Sequence, residues 1–263
     1  MRGIIFYYSG TGNTALACEY MARRLPVPLD CVDVTAVPRI DLGRADVVGF
    51  ATPTDFWGIP YVFEAFVEGL PRQDGKPAFV FNTFGAGSGK TLRVLARAVE
   101  ARGFSALAGY SLRMPESYPP AIASGKGAAD APGRKEMAGF DSFISELAGI
   151  LHAGRDDGHF GGAKLRLGLM SRFLPDLSRT AARDDMGEKH VDALVCTECG
   201  LCERNCPYVA IKLEPKPTFD SCKCYGCWRC YNLCPAHAIY TGKFRTGPFY
   251  PGPSELLKAK LRA

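Results

Sequence analysis

The chain has 263 residues, of which 47% are hydrophobic and 22% are charged, and its formal net charge is +5. This length allows two domains. The mild charge, with no run of five or more like charges, excludes the dense basic surface of a nucleic-acid-binding protein. No apolar stretch approaches the ~18 residues of a membrane-spanning helix, and the N-terminal apolar run is too short for a signal peptide. We therefore expect a soluble, cytoplasmic protein with no integral membrane segment.

Apolar runs alternate with helical patterns over residues 1–152. Strands are predicted at residues 4–8, 29–34, 46–52, 78–83 and 107–114, and helices at residues 11–25, 61–70, 90–102 and 134–151. Strands that alternate with helices indicate a parallel sheet covered on both faces. The sequence therefore predicts a doubly wound α/β domain with a five-stranded parallel sheet.

The loop after the first predicted strand contains a run of small polar residues. It reads Ser9, Gly10, Thr11, Gly12, Asn13 and Thr14. The N-terminus of a helix attracts a phosphate through its unpaired N–H groups and its dipole, and glycines let the backbone approach the anion. The loop lacks the lysine of an ATPase loop and the third glycine of a dinucleotide-binding loop. It resembles the phosphate loop of flavodoxins, which binds the phosphate of FMN; the alternative is an ordinary helix cap.

Two further loops follow the third and fourth predicted strands. In a doubly wound sheet, ligands bind beyond the carboxyl ends of the strands, so both loops should reach the same cofactor. The predicted contacts are Pro53, Thr54, Asp55, Phe56, Trp57 and Gly58 in one loop and Thr83, Phe84, Gly85, Ala86 and Gly87 in the other. The aromatic side chains can sandwich an isoalloxazine ring; the alternative is core packing. The resemblance to flavodoxins implies that Gly58 turns its carbonyl toward the flavin.

Residues 153–190 are predicted to form a linker that contains an amphipathic helix. Over residues 163–183 five basic residues and one acid surround the apolar residues Leu165, Leu169, Phe173, Leu174 and Leu177. A helix that buries these side chains against one domain is favoured over a membrane-surface or partner-docking helix, because basic amphipathic stretches are common in proteins that bind no membrane.

Eleven cysteines occur in the chain, and nine of them lie between Cys196 and Cys234. An odd number in a chain without an export signal argues against a disulfide scaffold, and in a reducing compartment such crowding indicates metal. A C-x2-C-x2-C-x3-C-P motif that begins at Cys196 recurs 28 residues later, at Cys224. We therefore predict a small, internally duplicated domain at residues 191–242, followed by a tail at residues 243–263 with a short basic helix from residue 254.

The duplicated motif is the one that binds two [4Fe–4S] clusters in bacterial ferredoxins. Three cysteines of each copy bind one cluster, and the fourth binds the other cluster. The predicted first cysteine set is Cys196, Cys199, Cys202 and Cys234, and the predicted second cysteine set is Cys224, Cys227, Cys230 and Cys206. Zinc is the alternative, but zinc ribbons use two C-x2-C pairs and do not need the third and fourth cysteines of each copy.

Two other features of this region bear on the clusters. Cys222 has no counterpart in the first copy, where Leu194 stands, and we interpret it as a bystander. Trp228, Tyr225 and Tyr231 are expected to shield the second cluster.

Taken together, the loop and the motif resemble a family of bacterial and archaeal fusion proteins. Its members join an N-terminal flavodoxin-like domain to a C-terminal two-[4Fe–4S] ferredoxin domain, and residues 82–86 and 113–118 also resemble recurring segments of that family. The resemblance implies FMN, two [4Fe–4S] clusters and electron transfer with redox partner proteins. It neither identifies the partners nor excludes an oligomer.

Three functions are compatible with these features. The first is an electron carrier that links one-electron and two-electron partners. The second is an FMN-dependent reductase of a small substrate that receives electrons from the clusters, although no acid–base pair stands out in the sequence. The third is a non-redox scaffold that holds zinc in its cysteines.

Overall fold

The computed structural model describes residues 1–36, 41–157, 160, 165, 174 and 180–262. Most of the predicted linker helix, including Leu169, Phe173 and Leu177, lies outside the described residues. Leu165 is described, and it packs against the sheet, where its side chain lies beside Gly109.

The first part of the chain forms a five-stranded parallel sheet. Its strands are β1 (Gly3–Tyr7), β2 (Leu29–Asp33), β3 (Val47–Pro53), β4 (Lys76–Phe84) and β5 (Phe104–Arg113). The strand order is β2-β1-β3-β4-β5, and each pair of neighbours is parallel. This is the strand order of the flavodoxin-like doubly wound fold, so the predicted fold class is confirmed.

Helices cover both faces of this sheet. They are α1 (Asn13–Arg24), α2 (Tyr61–Glu68), α3 (Thr91–Ala101), α4 (Pro119–Ala123) and α5 (Arg134–Asp157). One apolar core lies under α1 and α5, and a second lies under α2 and α3. The central strands β3 and β4 are therefore buried on both faces, which explains why their sequences are nearly continuous apolar runs.

Two element boundaries differ from the prediction by three residues or more. Strand β5 begins at Phe104 rather than at residue 107, because it already pairs with β4 at the Lys76–Phe104 register position. Helix α5 continues to Asp157 rather than ending at residue 151, so it includes the first residues of the predicted linker. Local composition marks such ends poorly, since packing and pairing decide where they fall.

The cysteine-rich part contains short elements. They are α6 (Ala181–Met186), β6 (Lys189–Val191), α7 (Leu201–Arg204), β7 (Ile211–Leu213), β8 (Pro217–Phe219), α8 (Arg229–Leu233) and β9 (Ile239–Thr241). Strand β6 pairs with β9 and β7 pairs with β8, both antiparallel. This part has a small apolar core that includes Met186, Ile211, Trp228 and Tyr231.

The end of the chain returns to the first domain. The predicted basic helix is present as α9 (Glu255–Arg262), and Leu257 and Leu261 are buried in the core under α1. The Arg23 side chain donates a hydrogen bond from Nη2 to the Leu261 carbonyl at 2.6 Å. The sequence shows the apolar stripe of this helix but not the surface that covers it. Within the described ranges, no helix combines the length and the apolarity needed to cross a membrane.

Candidate functional site

The loop between β1 and α1 places the start of a helix at one end of a cleft. Gly12 stands at the N-cap of α1 with a φ of 104°, a left-handed conformation that suits glycine. Its amide donates to Ser9 Oγ at 3.1 Å, and Ser9, Asn13 and Thr14 are buried polar residues. Ser9, Thr11 and Thr14 line the cleft, so hydroxyl groups and the amide end of the helix face its interior.

The cleft has a volume of about 480 Å³ and lies where the strand order reverses between β1 and β3. All the residues predicted to contact a cofactor line it, except Gly12 and Gly58. Its position beyond the carboxyl ends of the strands is where doubly wound folds bind ligands, and its volume suits a cofactor. The residues that line the cleft therefore fit FMN.

The loop after β3 ends in a tight turn with Phe56 and Trp57 at its tip. Both residues have left-handed backbone conformations, with φ of 44° and 63°. Gly58 closes the turn: its amide donates to the Asp55 carbonyl at 2.8 Å, and its own carbonyl accepts from the Asp55 amide at 3.0 Å. Because the Gly58 carbonyl is bound within this turn, the structure does not bring it to the cleft, and its contact with a flavin remains an untested prediction.

A buried hydrogen-bond network holds the three loops together. Asn82, at the end of β4, is fully buried. Its Nδ2 donates to Thr54 Oγ1 at 2.9 Å, and its Oδ1 accepts from Ser111 Oγ at 2.6 Å. The Thr14 and Thr83 hydroxyl oxygens lie 2.8 Å apart. Because buried polar groups are costly to leave unpaired, this network fixes the spacing of the loops around the cleft.

The sequence did not predict part of the cleft wall. Tyr8, the segment at residues 114–118 and the loop at residues 226–228 also line the cleft. The 114–118 segment lies within residues 113–118, and their resemblance to a recurring family segment is the signal that points to it. No local signal marks Gly226, Cys227 and Trp228, because they reach the cleft only through the packing of the cysteine-rich part against the sheet domain.

Tyr8 is buried between the cleft and the cysteine-rich part. Burial raises the pKa of its phenol well above the ordinary value, and the nearby Cys227 thiolate raises it further, while Arg229 opposes both effects. Tyr8 therefore stays protonated at neutral pH and adds no negative charge to this wall of the cleft.

Aromatic side chains connect the cleft to the cysteine-rich part. Tyr118 contacts Phe56 edge-on, with ring centroids 5.7 Å apart, and contacts Trp228 edge-on at 6.3 Å. The Tyr118 hydroxyl also donates a hydrogen bond to the Asp185 carboxylate. Burial raises the pKa of Tyr118, and its bond to Asp185 raises it further, so this phenol remains a hydrogen-bond donor at neutral pH.

A second connection starts at the phosphate loop. The Tyr250 hydroxyl donates to Asn13 Oδ1 at 2.6 Å, and the Tyr250 amide donates to Asn232 Oδ1 at 3.0 Å. Asn232 lies on α8 between Cys230 and Cys234, and its Nδ2 donates to the Ser117 carbonyl at 2.7 Å. The phosphate loop, the segment that contains Ser117 and the C-terminal region that contains Asn232 and Tyr250 are therefore held together beside the cleft.

The two copies of the cysteine motif have the same backbone course. Positive φ angles recur 28 residues apart at Glu198 and Gly226, Gly200 and Trp228, and Val209 and His237. The fourth cysteine of each copy accepts a hydrogen bond on its sulfur, at 3.3 Å, from the Ala210 and Ala238 amides respectively. The sequence repeat is therefore also a repeat of conformation.

The thiols of the second cysteine set surround a small cavity. Cys206, Cys224, Cys227 and Cys230 all line it, together with Trp228 and Lys189. Burial raises the pKa of Cys230, and the Cys227, Cys224 and Cys206 thiolates raise it further, although Lys189 lowers it. Cys206, from the first copy of the motif, thus lies with the three cysteines of the second copy. Four thiols around a cavity fit a cluster with one cysteine supplied from the other copy.

The first cysteine set is linked by electrostatics. Burial raises the pKa of Cys202, backbone hydrogen bonds oppose this effect, and the Cys234 and Cys199 thiolates add to it. Cys234, from the second copy, therefore lies within electrostatic range of Cys202, and the binding of one cluster by both copies stays a prediction. Within the described part of the chain, no three His, Cys, Asp or Glu side chains converge on a point that could hold a single metal ion.

The aromatic residues expected to shield the second cluster differ from Cys222 in their positions. Trp228 and Tyr231 are buried and in contact, with ring centroids 5.2 Å apart, whereas Tyr225 is half-buried and stacks on Tyr208 at 5.1 Å. Cys222 is exposed and does not line the second cavity.

Comparisons with known proteins give separate matches for the two parts of the chain. Residues 189–212 match the family model of the 4Fe-4S binding domain, and the matched residues contain the first copy of the cysteine motif. No curated protein matches the chain.

Solved structures resemble the sheet domain. A flavodoxin from the domain Archaea has 16% identity and a TM-score of 0.43, covering 58% of this chain and 99% of that chain. A flavodoxin of Streptococcus pneumonia TIGR4 has 19% identity and a TM-score of 0.45, covering 57% and 99%. Rubredoxin oxygen:oxidoreductase from Desulfovibrio gigas has 19% identity and a TM-score of 0.46, covering 59% of this chain and 37% of that chain. The chain thus combines a sheet domain that has the flavodoxin-like strand order with a C-terminal cysteine-rich part that matches the 4Fe-4S binding domain over residues 189–212.

Proposed function

We propose that this protein is an electron-transfer iron–sulfur flavoprotein that connects two [4Fe–4S] clusters with FMN and links one-electron and two-electron redox partners. One observation carries the proposal: Cys227, a predicted ligand of the second cluster, lines the same cleft as the phosphate loop. The two predicted cofactor sites therefore share a wall.

The residues of the cleft have separate tasks in this proposal. Ser9, Thr11, Thr14 and the amide end of α1 would hold the phosphate of FMN. Phe56, Trp57 and Phe84 would pack against its ring system and exclude water from it. When bound, the clusters supply one-electron chemistry and FMN supplies both one-electron and two-electron chemistry.

The two cysteine sets differ in their access to solvent, which suggests different roles. Cys199 of the first set is exposed, whereas Cys230 of the second set is buried. We infer that the first set faces redox partner proteins and that the second set connects the first set with the cleft. The partners are unidentified, an oligomer is compatible with this arrangement, and the cytoplasm is the proposed location because these thiols must stay reduced.

The proposed domain division follows the same lines. Residues 1–152 would bind FMN, residues 153–190 would join the domains, and residues 191–242 would bind the clusters. The tail at residues 243–263 would belong with the first domain, because Tyr250 contacts the phosphate loop and α9 packs on α1.

A reductase is the second candidate function. Ser124 and Lys126 line the cleft in addition to the loops predicted to contact FMN. A hydroxyl and an ammonium group at this position would suit a small anionic substrate beside the flavin. Turnover of such a substrate with an artificial reductant would favour the reductase over the carrier.

A cofactor inventory tests the proposal. Protein purified without oxygen should contain about eight iron and eight sulfide per chain, as two [4Fe–4S] clusters require, together with one FMN. Zinc in place of iron would overturn the cluster assignment in favour of the scaffold. Iron and sulfide without flavin, even after incubation with FMN, would overturn the assignment of the cleft.

A further inference from the structure

Lys189 occupies an unusual position beside the second cysteine set. It lies on β6, is only 9% exposed, and lines the cavity that the second set surrounds. Its Nζ donates a hydrogen bond to Cys224 Sγ at 2.5 Å. Within the described ranges, no carboxylate forms an ion pair with it. A buried ammonium group therefore directs its charge at the ligand sulfurs.

The repeat offers an internal comparison for this lysine. The position 28 residues after Lys189 is Pro217, and the position 28 residues after Cys196 is Cys224. Lys189 precedes the first copy of the motif and contacts the second set, so the equivalent position for the first set is Pro217, which has no ammonium group. The two positions are also equivalent in structure, because Lys189 begins β6, the strand before the first copy, and Pro217 begins β8, the strand before the second copy.

The neighbouring lysine of the first set does not replace Lys189. Lys216 donates from Nζ to the Cys196 carbonyl at 2.9 Å, and its charge is paired with Glu198 at 2.7 Å. Guanidinium groups contact cysteine carbonyls in both copies, Arg204 at Cys199 and Arg183 at Cys224. Arg229 also lines the second cavity, where the first copy has Leu201, but its guanidinium donates to Asn205 Oδ1 rather than to a sulfur. The ammonium group of Lys189 differs from these cations because it donates directly to a cysteine sulfur.

The effect on reduction follows from electrostatics. A reduced cluster carries one more negative charge than an oxidised cluster, so a nearby positive charge and a hydrogen bond to a ligand sulfur both favour reduction. Burial acts in the opposite direction, because a charged state is costly to hold away from water. Burial alone would make the second set the poorer electron acceptor, and a buried ammonium group, which salt screens little, opposes this.

We propose that Lys189 tunes the cluster that the second cysteine set would hold to be the stronger electron acceptor, so that an electron delivered at the exposed first set would be held beside the cleft. The transfer would move one electron from the first cluster to the second, with no bond made or broken, and the electron would come from an external one-electron donor. This inference rests on the proposed function, and it assigns Lys189 as a positioning residue that acts through the ligand sulfur.

A redox titration of Lys189→Met tests the inference. The variant keeps the length of the side chain and removes its charge. With dithionite as the reductant and electron paramagnetic resonance as the readout, we expect the reduced-to-oxidised ratio of the second set to fall at least tenfold at a given potential. This corresponds to about 59 mV for a one-electron couple. The first set should not shift, and Lys189→Arg should restore most of the wild-type value.

Controls separate this inference from the proposed function. Cys199→Ser identifies which signal belongs to the first set, since Cys199 is a predicted ligand of that set alone. Wild-type protein without iron and sulfide would overturn the proposed function. Wild-type protein with both clusters, but with no shift in Lys189→Met or with a shift in the first set instead, would overturn only the role of Lys189.

A second variant covers the case in which Lys189→Met fails to hold iron. Glu198→Gln removes the partner of Lys216 at the half-exposed surface of the first set, where folding should tolerate it. If ammonium charge tunes these sites, the first set should become easier to reduce in this variant. An unchanged potential would contradict the electrostatic account.

Discussion

The two copies of the cysteine motif have the same backbone and opposite surroundings. In the first copy Leu194 is 99% exposed and Cys199 faces solvent. In the second copy Trp228 and Tyr231 are 2% and 0% exposed, and Cys227 lines the cleft of the sheet domain. The duplicated motif thus provides two predicted cluster sites with one conformation, and packing against the sheet domain makes one of them internal. Under the proposed function, this difference gives the two copies different roles in electron transfer.

The largest expected effect comes from removing a ligand on each side of this comparison. Cys227→Ala should lose about half of the iron, because one of two clusters loses a ligand. It should also lower the affinity for FMN and slow flavin reduction at least tenfold, since Cys227 is also part of the cleft wall. Iron analysis, flavin fluorescence and rapid mixing with a one-electron donor measure these changes.

The matched variant is Cys199→Ala. It should lose a similar amount of iron and keep its affinity for FMN, because Cys199 does not line the cleft. Equal losses of FMN affinity in the two variants would show that the copies do not differ in the way proposed here. Cys222→Ser serves as the control and should keep its iron.

A substitution in the small apolar core of the cysteine-rich part compares the two copies through their contributions to stability. Tyr231 is fully buried and stacks on Phe249 with ring centroids 4.6 Å apart, and its counterpart 28 residues earlier is the exposed Glu203. Tyr231→Ala should destabilise the cysteine-rich part by about 3–5 kcal/mol, whereas Glu203→Ala should change stability by less than about 0.5 kcal/mol. The urea midpoint measured anaerobically by circular dichroism tests both values. Similar midpoints for the two variants would contradict the asymmetric packing.

The smallest expected effect concerns the contact between the tail and the phosphate loop. Tyr250→Phe removes the hydrogen bond to Asn13 Oδ1, and one hydrogen bond contributes about 0.5–1.5 kcal/mol. The Kd for FMN should therefore rise about two- to tenfold, as measured by quenching of flavin fluorescence. Tyr240→Phe, on β9 and outside the cleft, should leave the Kd unchanged. An unchanged Kd in Tyr250→Phe would show that the tail does not stabilise the loop.

The features that could be predicted from the sequence are those that depend on residues close together in the chain. The alternation of strands and helices, and most of the loops that form the cleft, could be predicted because periodicity and turn composition act over a few residues. The grouping of Cys206 with the second copy follows from the spacing of the motif alone. Gly58 shows the limit of this reasoning, because its place in the turn depends on hydrogen bonds that resemblance to another protein does not specify.

Short-range spacing was enough to predict the fold class, which the structure confirms, and to predict the phosphate loop and the two cysteine sets. It could not predict that Cys227 forms a wall of the cleft, that Tyr250 donates to Asn13 or that Lys189 donates to Cys224. Tyr250 and Asn13 are 237 residues apart, and Lys189 and Cys224 are 35 apart. Contacts across such separations depend on how whole elements pack, and a single sequence carries no local signal for them.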